Sequence, residues 1–159
     1  MLGGSCNRFK NSMETKIINS PYGEWLSKYE WTMWTTLTTR YTLTQNSARR
    51  IVERFYKELS RAGNTQIFFA TEPHDVKEGY HLHALINAPE MLTYKNVIDT
   101  YQEITNGGKE TEEHTLPTGE IITRTKWNRI QIEKYNPKLG ATHYLSKYIT
   151  KTMSDYDML

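Results

Sequence analysis

Residues 65–88 read TQIFFATEPHDVKEGYHLHALINA. Two runs rich in aromatic and aliphatic residues, 65–72 and 80–88, flank the turn-forming stretch PHDVKEG. Each run predicts a strand, and a connection this short turns the chain back so that the two strands pair antiparallel. Side chains two apart on a strand share a face. His81, His83 and Leu85 therefore point one way, and Leu82, Ala84 and Ile86 point the other. The second set suits packing beneath helices. The first places two imidazoles roughly 6.8 Å apart along the strand, and the antiparallel return brings Glu72 beside them.

Working outward, WTMWTTLTTRY (31–41) has the Thr and aromatic content of a strand, preceded by a short helix in PYGEWLSKYEW. A helix follows over TLTQNSARRIVERFYKELSRAGN, with Ile51, Phe55 and Leu59 at spacing four and Val52 beside them. Thr44 or Asn46 can cap it, and Gly63 ends it. Another helix is predicted over 93–105, burying Val97, Ile98 and Tyr101. The segment NGGKETEEHTLPTGE (106–120) reads as a flexible loop or hairpin. WNRIQIEKY (127–135) alternates as a strand does, and PKLGATHYLSKYITKTM (137–153) predicts the last substantial helix. The order β-α-β-β-α-β-α implies an α+β fold, a mixed sheet with helices packed on one face.

A chain of 159 residues, 37% hydrophobic and 24% charged, suits one globular domain, 1–159, with a loose N-terminal segment over 1–20. No stretch approaches the roughly 18 apolar residues of a membrane span. The N-terminus lacks the apolar centre of a secretory signal, so a cytoplasmic location is expected. Cys6 is the single cysteine, which excludes an internal disulfide framework or a multi-cysteine zinc site. The net charge is only +2, but from Ile121 to Lys151 seven basic residues face one acid, Glu133. Arg124, Lys126, Arg129, Lys134, Lys138, Lys147 and Lys151 make a segment suited to a polyanion, or else a solvated basic face.

Two histidines and a carboxylate form an N,N,O donor set for a divalent catalytic metal with open positions. His74 and Asp75 lie in the same loop and compete for the third place. The bland alternative is a pair of satisfied strand histidines. On the last helix, Ala141, Leu145, Ile149 and Thr152 form a packed stripe, with Tyr144 and Tyr148 along its edge. Lys147 and Lys151 each follow a tyrosine by three, giving YLSK and YITK. A tyrosine is a nucleophile as phenolate, which a nearby ammonium favours. Alternatively, the tyrosines pack at the core edge while the lysines are solvated.

WTTLT (34–38), then E…HLH (72–83), then YLSKYITK (144–151) occur in one order. This pattern resembles the HUH endonuclease superfamily, and within it the rolling-circle replication initiators (Rep proteins). Their motif I is an aromatic-x-T-L-T strand, motif II the H-hydrophobic-H strand, and motif III Y-x-x-K on a helix. The doubled Y-x-x-K is similar to that of the two-tyrosine, gene-A-type phage initiators. The resemblance implies a central antiparallel RRM-like sheet of about five strands with flanking helices. The H-x-H strand would lie in the middle, with the tyrosine helix crossing the same face. It also implies Mg²⁺ or Mn²⁺ on Glu72, His81 and His83, and attack on DNA by Tyr144 or Tyr148 aided by Lys147 and Lys151. Arg124, Lys126, Trp127, Arg129, Lys134 and Lys138 would then track the DNA strand, although Trp127 can equally be core.

The implied partner is single-stranded or hairpin origin DNA, with host polymerase and helicase acting afterwards and no membrane involved. A transposase of the same superfamily shares the motif order. A non-catalytic single-strand binding module would explain the basic, aromatic segment but not the gathering of His, Glu and Tyr/Lys pairs. A zinc peptidase would use H-E-x-x-H on a helix, which this sequence lacks.

Overall fold

The computed structural model describes residues 21–39, 41–105, 111–125, 130–147, 149 and 154–159, with the side chains of 124 and 125 excepted. Seven strands are found among them: β1 (Met33–Leu37), β2 (Gln66–Pro73), β3 (Tyr80–Asn87), β4 (Thr111–Thr115), β5 (Ile121–Thr125), β6 (Ile130–Lys134) and β7 (Tyr156–Met158). The helices are α1 (Pro21–Leu26), α2 (Gln45–Leu59), α3 (Tyr94–Ile104) and α4 (Ala141–Ser146).

Five strands form one sheet in the order β6-β1-β3-β2-β7, and every neighbouring pair is antiparallel. The β2–β3 hairpin inferred from residues 65–88 is present, and it places β3 at the centre of the sheet. The hairpin β4–β5 stands apart as its own two-stranded sheet. The fifth strand of the main sheet is therefore β7, in a C-terminal stretch where the sequence predicts none, and not the 106–120 hairpin.

Alternation along β3 divides the core in two. Leu82, Ala84 and Ile86 face α2 and α3, packing with Ile51, Val52, Phe55 and Leu59 of the first and Val97, Tyr101 and Ile104 of the second. Each fully buried Leu, Ile or Phe there contributes roughly 1.5–3 kcal/mol. The helices that enclose this layer start where their sequence dictates. The Thr44 hydroxyl accepts the Ser47 N–H at 3.1 Å, and the Thr93 hydroxyl accepts the Asn96 N–H at 3.2 Å. Both are completed as capping boxes.

The opposite face is not bare. Trp31, Trp34, Phe68, Ala70 and Leu85 pack there with Leu26, Ala141 and Leu145. Helices thus lie on both faces, correcting the expectation of one: α2 and α3 form the thick layer, while the short α1 and α4 cover part of the histidine face. The two short helices are fastened together. The Ser27 and Thr142 hydroxyls are hydrogen-bonded at 2.9 Å, and Gly23 lies so close to α4 that an added Cβ would stand 2.2 Å from the His143 ring.

The last helix is also shorter than expected. A 3₁₀ turn takes up Pro137–Leu139, and Gly140 follows at φ 70°, so α4 begins only at Ala141. It is described as far as Ser146; Tyr148, Thr150, Lys151, Thr152 and Met153 lie outside the described residues.

Candidate active site

Register fixes the centre. Glu72 sits opposite His81, and Ala70 opposite His83, across the β2–β3 pair. Strand alternation turns Glu72, His81 and His83 to the same face, and there their side chains meet. The Glu72 Oε2 lies 2.6 Å from His83 Nε2 and 2.9 Å from His81 Nε2, and the two Nε2 atoms are 3.1 Å apart. Among the described residues these three form the group able to hold a metal ion. Their mutual spacing suits one small divalent cation, since ligand atoms about 2.1 Å from a common ion and at right angles stand about 3.0 Å apart. The donor set fits Mg²⁺ or Mn²⁺ with open positions left for a substrate. His74 and Asp75, the rival third ligands, are outside this group, and Asp75 is exposed.

The ring nitrogens turned away from the cluster have partners of their own. His83 Nδ1 lies 3.2 Å from the Thr36 hydroxyl, on the neighbouring strand β1. His81 Nδ1 lies 3.2 Å from His74 Nδ1. Trp34 stacks flat on the His83 ring, centroids 5.3 Å apart and planes within 9°. Burial drives the His83 pKa below its ordinary value, against the pull of its hydrogen bond to Glu72. A buried ring so biased stays neutral, the state a metal ligand requires. Burial likewise lowers His74, assisted by its neighbour His81.

Helix α4 brings Tyr144 onto this cluster. Its hydroxyl donates to the Glu72 carboxylate, 3.1 Å from Oε2 and 3.2 Å from Oε1. The ring meets His83 edge-on at 5.7 Å and Trp34 edge-on at 6.1 Å. Lys147, one turn later, holds its Nζ 3.7 Å from the centre of the Tyr144 ring. The packed stripe of α4 explains this aim: Ala141 and Leu145 are buried against the sheet, which leaves Tyr144 at the edge facing the strand end that carries Glu72.

The other predicted residues are distributed less tightly. Tyr148, Lys151, Lys126, Trp127 and Arg129 lie outside the described residues, and Arg124 is placed only as a backbone position in β5. Lys138 is exposed in the 3₁₀ turn just ahead of α4. Lys134 shares its strand parity with Ile130 and Ile132, which pack on the α2–α3 layer. Its position in β6 is thus on the face opposite the histidines, and the structure does not bring it to the cluster.

Thr36 and Trp34 belong to WTTLT, but their contacts with His83 were not foreseen. The available signal was alternation: both sit on β1 at positions that face the same side as His83, with Thr36 directly opposite it. Next to this centre a polar cleft is lined by Thr38, Thr39, Tyr41, Thr42, His74 and His81, among others.

Residues 32–153, about three quarters of the chain, match the family model of replication-associated proteins of the ORF2 type. No curated protein and no solved structure matches. No helix among the described residues is long and apolar enough to cross a membrane.

Proposed function

The chain belongs to this family of replication-associated proteins, and from that premise we propose that it initiates rolling-circle replication by nicking single-stranded origin DNA and joining itself to the 5′ end. The observation that carries the reading is the meeting of the Tyr144 hydroxyl with the Glu72–His81–His83 cluster, 3.1 Å from a carboxylate oxygen. A nucleophile and a metal-ligand set in contact on one face are what phosphoryl transfer to a tyrosine requires.

Glu72, His81 and His83 would hold a Mg²⁺ or Mn²⁺ ion, which when bound polarises the scissile phosphate as a Lewis acid. The chain's own groups supply the rest. The Tyr144 phenol gives up its proton and its oxygen attacks phosphorus. A new P–O bond to tyrosine forms as the bond to the 3′ oxygen breaks, and that oxygen takes up a proton to leave as a 3′-OH. The Lys147 ammonium, held against the Tyr144 ring, favours the phenolate form and neutralises phosphate charge. One phosphate ester replaces another, so a later 3′-OH can reverse the attack and reseal the strand without any nucleotide cofactor.

Tyr148 and Lys151 repeat the Y-x-x-K unit and are assigned the second transfer. Arg124, Lys126, Trp127, Arg129 and Lys138 are assigned to the DNA strand, where an aromatic stacked on a base is worth about 1–3 kcal/mol. Lys134 is the weakest member of that set, given its place on the far face. The free 3′-OH is the substrate of a host polymerase, which a helicase would precede.

The test is an SDS gel of the protein incubated with single-stranded oligonucleotides and Mn²⁺, with and without EDTA. A slower-migrating, EDTA-sensitive band that maps to Tyr144 or Tyr148 is the expected result. No band with any origin-containing pool, together with no Mn²⁺ binding, would replace this reading with that of a non-catalytic DNA-binding module.

A further inference from the structure

His74 lies two residues beyond Glu72, and its ring is half-buried against His81, centroids 4.9 Å apart. Its Nδ1 contacts His81 Nδ1 at 3.2 Å, on the edge of the His81 ring opposite the edge that meets Glu72 and His83. A neutral imidazole has one N–H and one lone pair. Two Nδ1 atoms facing each other at this distance form a hydrogen bond only if one donates and the other accepts. Were His74 the donor, His81 would carry its proton on Nε2, pointing into the cluster with no lone pair to offer. With His74 as acceptor, the His81 proton sits on Nδ1 and the Nε2 lone pair faces Glu72 Oε2 and His83 Nε2.

We infer that His74 is a positioning residue for this centre, its Nδ1 accepting the His81 Nδ1–H and so holding His81 in the tautomer and orientation that present Nε2 as a metal ligand. The inference rests on the metal reading of Glu72, His81 and His83 given above.

The backbone supports such a role. His74 N–H donates to the Gly79 carbonyl at 3.0 Å, which closes the turn carrying the ring. Gly79 itself has φ +97°, and an added Cβ there would stand 3.1 Å from the Leu43 carbonyl and closer still to the Thr42 methyl. That turn is therefore seated against the segment after β1 and holds His74 in place. The arrangement parallels the other ligand, whose outward Nδ1 is held by Thr36. Metal-binding histidines generally fix their second nitrogen in this way.

The experiment compares wild type, His74→Ala and His74→Gln for Mn²⁺ affinity, reading free Mn²⁺ by its electron paramagnetic resonance signal. Alanine should weaken binding about 10–100-fold. Glutamine, whose carbonyl can also accept from Nδ1–H, should restore it to within about threefold. Melting temperatures of the metal-free proteins should not differ. Imidazole ¹⁵N shifts of the metal-free wild type should show His81 protonated on Nδ1. Wild-type affinity in His74→Ala overturns the proposal, as does a His81 proton found on Nε2, which needs no variant to fold. Loss with both alanine and glutamine makes His74 a direct ligand and overturns it too. A wild type that binds no Mn²⁺ is a different result, because it removes the metal reading itself and this proposal with it.

Discussion

The Tyr144 hydroxyl shares its proton between the two oxygens of Glu72, at 3.1 and 3.2 Å, and so joins helix α4 directly to the ligand cluster at the end of β2. The contact is possible because Trp34 and His83 form a stacked floor against which the tyrosine ring stands edge-on. The ring is therefore held by packing, and its hydroxyl is aimed by the carboxylate.

Tyr144→Phe separates these two roles. The ring and its packing remain, and only the hydroxyl goes. Covalent DNA adduct should fall on the order of 10³-fold or more, as expected for loss of a nucleophile. Mn²⁺ affinity and single-strand binding should stay within about twofold, and stability should drop by about 1 kcal/mol for the lost hydrogen bond. Adduct yield on SDS gels decides the matter. A yield equal to wild type would transfer the first attack to Tyr148.

Thr36→Val removes the hydroxyl beside His83 Nδ1 while keeping the shape of the side chain. The ligand then loses the partner that fixes its second nitrogen. Mn²⁺ affinity measured by calorimetry should weaken about 10–100-fold, and nicking should fall with it at low Mn²⁺ and recover at high Mn²⁺. An unchanged binding isotherm would make Thr36 a strand residue and nothing more.

Much of this arrangement was legible because it depends on local alternation. His81 and His83 two apart, and Glu72 just before the turn, suffice to place three donors on one face once the hairpin is recognised. The helix stripe of Ile51, Phe55 and Leu59 was equally plain, since 3.6-residue periodicity survives in any window that long. What stayed hidden depends on contacts between distant segments. Tyr156–Met158 is three residues flanked by acids, and nothing local marks it as a strand. It becomes one by pairing with Phe68, Phe69 and Ala70 at the sheet edge, while Arg49 holds Asp155 and Asp157. The start of α4 was misplaced for a different reason. The 137–153 pattern continues helically through Gly140, but that residue takes a left-handed conformation, so the Pro137 turn and the helix are separate pieces. The contact of His74 with His81 required knowing how the 73–79 turn folds back, which composition does not specify.

Gly23→Ala tests the coupling of α1 to α4. A Cβ at this position would stand 2.2 Å from His143 Nδ1 and 2.7 Å from two ring carbons, so the helices must separate. Overpacking of this kind costs about 1–3 kcal/mol. The displaced helix is the one that carries Tyr144, so adduct formation should fall by more than the loss of folded protein explains, while Mn²⁺ binding at Glu72, His81 and His83 persists. Thermal melts read beside gel assays on the soluble protein separate the two effects. Wild-type adduct yield in the variant would mean that α4 tolerates the shift.

The C-terminal clasp gives the chain an acid-sensitive element. Arg49 donates to both oxygens of Asp155, from Nη2 and Nε, and from Nη1 to Asp157, at 2.7–2.8 Å. Hydrogen bonding to Arg49 holds the Asp157 carboxyl below its ordinary value near 3.8. A folded-state pKa lower than the unfolded one means that the unfolded chain binds more protons in that interval, so stability rises with pH there. The contribution is complete above about pH 4 and is lost as pH falls through the lower, folded-state pKa. Arg49→Ala should remove this dependence and cost about 1–2 kcal/mol at neutral pH, a modest figure because the groups are partly solvated. Denaturant unfolding from pH 2 to 7 should show the wild-type and Arg49→Ala curves converging at the acid end and separating above pH 4. Parallel curves across the whole range would show that β7 is held by its strand pairing with β2 alone.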